Sequence, residues 1–141
     1  MSSLLKYHTL GEPFCLESGE MLNNVDIAYE TWGTLNENKD NAVLILHAFT
    51  GDSHVTSDKG TEQTEDLSSE GWWESYVGPG KPIDTNRWFV VSSNVLGGCA
   101  GSTGPASIAS DGYPYGSRFP LITIRDQVRV EALLADFLEI T

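Results

Sequence analysis

Basic residues are scarce in this chain: eight Lys and Arg stand against twenty Asp and Glu, for a formal charge of −12. Phosphate binding needs clustered cations, and these eight are scattered, so nucleic acid is excluded as a partner. Cysteine is scarcer still. Cys15 and Cys99 lack metal-ligand spacing, and neither His8 nor His54 has a Cys or His partner at such spacing, so no metal site is expected. In a cytosolic chain, two such cysteines stay as free thiols. Long apolar runs are missing as well: the longest, Ala42 to Leu46 (AVLIL), falls far short of the ~20 residues a membrane span needs. Met1 to Leu10 holds only Lys6 as a cation and no apolar h-region, which predicts a cytoplasmic protein without a membrane anchor.

Internal repeats and low-complexity linkers are also absent, so residues 1–141 read as a single domain. Its 40% hydrophobic and 20% charged residues suit an ordinary globular core. Part of the acidity is local. Asp58 to Glu70 (DKGTEQTEDLSSE) holds five acids, one Lys and almost nothing apolar, so it cannot bury itself. Residues 55–70 are therefore expected to form an acidic surface insertion, with an acidic docking segment as the alternative.

Val25, Ile27 and Tyr29 alternate with polar or small residues, which predicts a half-buried strand. A companion strand is expected around Phe14 to Leu16, with a turn near Ser18 and Gly19. Asn36 to Asn41 (NENKDN) reads as a polar turn. Ala42 to Leu46 and Trp88 to Val91 (WFVV) are continuous apolar runs, the pattern of parallel strands covered on both faces. Val130, Leu133, Leu134, Phe137 and Leu138 form one stripe of a helix, and Thr123 with Asp126 resembles a capping box at its start. Strands followed by an amphipathic helix predict an α/β architecture.

Three loops follow these elements. His47 to Asp52 (HAFTGD) stands directly after AVLIL, where a tight turn can aim backbone N–H groups at a developing oxyanion; a plain strand-ending turn with a packed His47 is the simpler reading. Asn94 to Pro105 follows WFVV and offers two tempting nucleophiles, Cys99 in a G-x-C-x-G frame and Ser102 near G-x-S-x-G. A nucleophile elbow needs a helix beginning at the nucleophile, and Gly101, Gly104 and Pro105 forbid one, so a rigid backbone loop lining a pocket is expected instead. A phosphate loop would need Lys before the Ser or Thr, and Gly101 precedes Ser102. In the third loop, Trp72 and Trp73 cannot both face one core from a regular strand, so one is expected to pack and the other to line a surface or cleft.

The blocks LESGE (16–20), AYETWGTLN (28–36), NAVLILHAFTGDSH (41–54), VGPGKPIDT (77–85), SNVLGGCAGSTGPAS (93–107) and YPYGSRFPLITIRDQV (113–128) resemble the homoserine O-acetyltransferase family, in order and across nearly the whole chain. The GGC-x-GSTGP block is the most specific of them. The resemblance implies an amino-terminal part of an α/β-hydrolase fold, with a mostly parallel sheet, an antiparallel amino-terminal strand pair and a helical lid elsewhere. It implies a usually dimeric enzyme that uses a Ser–His–Asp triad in a ping-pong reaction. Ser is acylated by acetyl-CoA and the acyl group passes to the hydroxyl of L-homoserine, in methionine synthesis, with no bound cofactor. Carried over by position, Phe49 offers its backbone N–H to the oxyanion hole, and His47, Thr50, Asn94, Gly97, Gly98, Cys99 and Ser102 line the pocket. The triad Ser, Asp and His are expected beyond Thr141, so the chain reads as a truncated domain, inactive alone. Two departures from the family stand out: the acidic segment after His54 is longer, and Ala109 and Ser110 replace a customary Pro, which predicts a looser turn. The alternatives are a non-catalytic remnant or association partner, a homoserine O-succinyltransferase fragment, or a small cysteine hydrolase using Cys99.

Overall fold

The computed structural model describes residues 5–57 and 70–141. In chain order the strands are β1 (Lys6–Thr9), β2 (Phe14–Cys15), β3 (Met21–Leu22), β4 (Asp26–Trp32), β5 (Ala42–Ile45), β6 (Val77–Gly78), β7 (Ile83–Asp84) and β8 (Phe89–Ser93). A 3₁₀ turn at Gly116–Arg118 and one helix, α1 (Ile124–Phe137), follow. The main sheet has the order β1-β4-β8-β5. Its first two pairings are antiparallel and the last, β8 with β5, is parallel.

This sheet is covered on both faces at its centre. On one side Ile27, Tyr29 and Val91 pack with Val130 and Leu134 of α1 and with Phe14, Leu16 and Leu22 of the β2–β3 hairpin. On the other, Trp32 and Val90 pack with Ile45, Val55 and Val77. The alternation in β4 therefore marks one of two buried faces. Ala28 and Glu30, expected to face water, are as buried as their neighbours. The companion strand at Phe14–Cys15 is real, but it pairs with β3 around the turn at Gly19, not with β4. The partner of β4 is β1, which carries no alternation strong enough to announce it.

At β5 the expected double cover fails. Ile45 is buried, yet Leu44 is 50% exposed, and Leu46 lies past the strand end at 63% exposure. Among the described residues β5 has a neighbour on one side only, and an apolar groove of 240 Å³ lies between it and α1, lined by Ala42, Leu44, Val91, Leu134 and Leu138.

Helix α1 begins with the expected capping box. The Thr123 hydroxyl accepts from Asp126 N–H, and the Asp126 carboxylate accepts from Thr123 N–H. The same carboxylate also accepts from Glu17 N–H at 2.9 Å, which ties the helix start to the β2–β3 turn. Of the stripe, Val130 and Leu134 enter the core and Leu138 packs against it. Leu133 and Phe137 stay partly exposed, Phe137 stacking on the His8 ring. The turn after Ala109 and Ser110 is not loose: Ala109 N–H bonds Tyr113 C=O at 2.8 Å and Gly112 N–H bonds Ala109 C=O at 3.0 Å.

Two residues of the surface insertion expected at 55–70 are not at the surface. Val55 and Thr56 are fully buried, because this stretch runs beside the Trp72–Trp73 segment, with Trp73 N–H on Val55 C=O at 2.8 Å. The acidic residues 58–69 lie outside the described residues. Their two stems meet at Glu74, whose carboxylate accepts from Ser57 N–H at 2.7 Å and Gly71 N–H at 3.1 Å. Gly71 is needed there, since a Cβ would stand 2.3 Å from the Thr56 backbone. Partial burial acts to raise the Glu74 pKa, but the two N–H donors outweigh it and hold the group at about 2. A depressed carboxyl stabilises the fold above its ordinary range and loses that contribution as the pH falls toward its folded value. Glu74→Gln is thus expected to cost about 1–2 kcal/mol at pH 7, allowing for solvent at this side chain, and the gap to the parent should close between about pH 5 and 2. Chemical denaturation across that range checks it; a pH-independent gap would remove the ionised clamp.

Among the described residues no helix is long and apolar enough to cross a membrane, and no three His, Cys, Asp or Glu side chains could hold a metal ion.

Candidate functional site

Strand β5 enters the HAFTGD loop at the end where parallel strands present backbone donors to ligands. The loop turns tightly, with Gly51 N–H on Ala48 C=O at 2.8 Å. Phe49 stands inside this turn. Its side chain is fully exposed, and its N–H has no hydrogen bond among the described residues. An unspent N–H at the tip of a turn beyond a buried strand is the kind of donor an oxyanion hole requires.

His47 anchors the near arm of the loop. Val95 N–H donates to its Nε2 at 3.4 Å, so Nδ1 carries the proton and donates to Ala48 C=O at 2.7 Å. The far arm is anchored by Ser53 and His54. Ser53 N–H donates to Asn94 Oδ1 at 2.8 Å, and Asn94 Nδ2 donates to Ser53 Oγ at 3.0 Å. Ser53 Oγ in turn donates to Glu30 Oε1 at 3.2 Å, while His54 Nδ1 meets Glu30 Oε2 at 3.0 Å. Ser53, His54 and Glu30 include the residue types of a hydrolase triad, but not its connectivity. The hydroxyl bonds the carboxyl rather than a ring nitrogen, and Ser53 is buried away from any substrate.

An open cleft of 510 Å³ lies over the loop, lined by Ala48, Thr50, Gly51, Asp52, His54, Glu70 and Trp72. Trp72 Nε1–H donates to Asp52 C=O at 3.0 Å and closes one wall. Neither tryptophan enters the core as one was expected to: both stay partly exposed and stack in a row with Tyr76. Of the residues expected to line a pocket, Thr50 lines this cleft. His47 and Asn94 support the loop from below.

The glycine-rich loop packs downward against the sheet. Ser102 is buried, its hydroxyl accepting from Ala28 N–H at 2.9 Å and donating to Asn94 C=O. Thr103 grips Asp26 twice, through Thr103 Oγ1 with Asp26 N–H and through Thr103 N–H with Asp26 C=O. Gly97 donates to Thr103 C=O at 2.8 Å and Gly98 to Val95 C=O at 3.1 Å. Gly97 borders a different groove, shared with Phe119 and Ile122, and Cys99 is an exposed free thiol. Ser102 thus staples the loop to β4, and among the described residues no hydrogen bond joins the exposed Cys99 thiol to a base. The residues missed from sequence are Glu30, Ser53 and His54. A lone Glu inside an apolar strand was the one signal that pointed to them.

Close to the site, on α1, Glu131 accepts a hydrogen bond from Ser93 Oγ, and its Oε2 is buried without a partner among the described residues. Burial raises its pKa, opposed by the hydrogen bond from Ser93.

No family model matches the chain. Known proteins do. A homoserine O-acetyltransferase of Thermobifida fusca is 60% identical over 129 residues, covering 91% of this chain and 33% of that protein. The crystal structure of a homoserine O-acetyltransferase from Bacillus anthracis superposes with a TM-score of 0.83 at 32% identity, covering 98% of this chain and 38% of that one. The structure of esterase E22 gives the same TM-score at 38% identity, covering 96% of this chain and 38% of that chain. The chain spans about a third of the length of the curated relatives it matches. By sequence and by backbone, the chain is similar to about a third of the homoserine O-acetyltransferases it matches, within their α/β-hydrolase fold.

Proposed function

We propose that this chain supplies one oxyanion-hole donor, the Phe49 N–H, and the floor beneath it to an enzyme that moves an acetyl group from acetyl-CoA to the hydroxyl of L-homoserine. The reading rests on the turn beyond β5, which presents an unspent N–H above a buried polar clamp. In that reaction a serine Oγ attacks the thioester carbonyl, and the carbonyl oxygen gains negative charge that Phe49 N–H stabilises. The C–S bond breaks, CoA leaves as the thiol, and the homoserine hydroxyl then attacks the acyl-serine. The serine and its His and Asp partners are supplied from outside the described residues. We place the assembled enzyme in the cytoplasm as a homodimer, with no bound cofactor. The match to esterase E22 favours a second reading, in which water replaces homoserine as the acceptor.

The test is a segment exchange. The 129 matching residues of the Thermobifida fusca protein are replaced by this chain, and CoA release is measured with and without homoserine. Homoserine-dependent release is expected from the exchange protein and none from the 141-residue chain alone. Cys99→Ala should keep most of it, since that thiol is exposed and has no hydrogen-bonded base among the described residues. Transfer by the chain alone would overturn the reading. Release that ignores homoserine would establish the esterase instead.

A further inference from the structure

We propose that Glu30 is a positioning residue for the Phe49 amide. This inference rests on the oxyanion role given to Phe49 above. Glu30 is 2% exposed in the middle of β4, on the face it shares with Ala28 and Trp32. A carboxyl buried there is costly unless its oxygens are hydrogen-bonded, and an apolar side chain would serve packing better. Both oxygens are engaged by one short stretch, Ser53 and His54, the far arm of the loop that carries Phe49. Asn94, just past the end of the adjacent strand β8, grips the same Ser53 through its backbone N–H and its hydroxyl.

The near arm is held independently, by the pairing of Ile45 with Ser92 and by His47 against Val95. Between the two anchors the chain has little support. Phe49 points into solvent, and the internal bond from Gly51 to Ala48 fixes the turn's shape but not its placement over the sheet. Placement is therefore decided where the arms meet the sheet, and Glu30 is the buried end of the far anchor. Oxyanion stabilisation needs a donor within ~2.7–3.1 Å of the developing charge, and a misplacement of ~1 Å can cost ~10²-fold in rate. Because the oxyanion exists only in the transition state, a slipped donor lowers kcat and leaves ground-state binding of the thioester alone.

Two measurements test this. In the 141-residue chain, hydrogen exchange at the Gly51 and Ser53 amides should accelerate at least ~10-fold in Glu30→Ala, while the β8 amides keep their protection. In the exchange protein, Glu30→Ala and Ser53→Ala should each lower kcat by ~10- to 10²-fold with KM for acetyl-CoA unchanged, and Glu30→Gln, which preserves shape and one acceptor, should recover most of the loss. Hydrolysis of p-nitrophenyl acetate reports the same acylation step without homoserine. It separates a wrong acceptor, where the parent hydrolyses and fails to transfer, from a wrong positioning role, where the parent is active and the variants match it. Unchanged exchange at Gly51 and Ser53 in Glu30→Ala would overturn the proposal whatever the enzyme's activity. So would parent-like kcat in a folded variant, or kcat and KM shifting together.

Discussion

Gly104→Ala is expected to lower the stability of this chain by about 3–5 kcal/mol, a large part of the ~5–15 kcal/mol that holds a domain together. A Cβ at Gly104 would lie 2.1 Å from the Gly98 carbonyl oxygen and 3.3 Å from the Gly97 carbonyl carbon. These are backbone atoms, so no rotamer change relieves the overlap. Moving them would break Gly97 N–H to Thr103 C=O and Gly98 N–H to Val95 C=O, and would pull Thr103 from its two bonds to Asp26. Overpacking alone costs ~1–3 kcal/mol and each lost buried bond adds ~1 kcal/mol. Gly11→Ala is the control, because a Cβ there meets nothing within 4 Å. A Gly104→Ala melting curve that overlays the parent would mean the loop is not packed against itself in solution.

The second large effect concerns association. The chain should self-associate through β5, and Leu44→Lys should weaken that association at least ~10-fold, or ~1.4 kcal/mol. The free side of β5 has unpaired backbone groups among the described residues, with Leu44 and Leu46 exposed beside an apolar groove. An edge of this kind templates pairing with another chain. At the opposite edge the contrast is direct: β1 carries Lys6, whose ammonium reaches Thr31 Oγ1 at 2.6 Å, and a charged edge resists stacking. Sedimentation over a concentration series measures both proteins. If Leu44→Lys associates as strongly as the parent, the contact lies elsewhere. In the exchange protein the same edge should be covered and the effect of the lysine should appear as lost stability instead.

Local chemistry by itself determined much of this protein. The capping of α1 by Thr123 and Asp126 depends on residues three apart, so it could be read directly and appears as expected. Gly101, Gly104 and Pro105 disfavour a helix after Cys99 or Ser102, and residues 94–105 form a loop. The family blocks were legible too, and the α/β-hydrolase backbone followed from them. What only the tertiary structure decided is which polar residues support the loop and which face a cleft. The family resemblance expects Ser102 and Asn94 to line a pocket; pairing β4 with β8 sets their loop beside Ala28 and gives both side chains buried hydrogen-bond partners. Val55 and Thr56 looked like the start of a solvated stretch, and burial beside Trp73 makes them core. Glu30 stands 23 residues before Ser53, and Ser53 stands 41 before Asn94. No periodicity links positions so far apart, because their contact is created by strand order, and strand order is settled by how the two apolar faces of the sheet find cover.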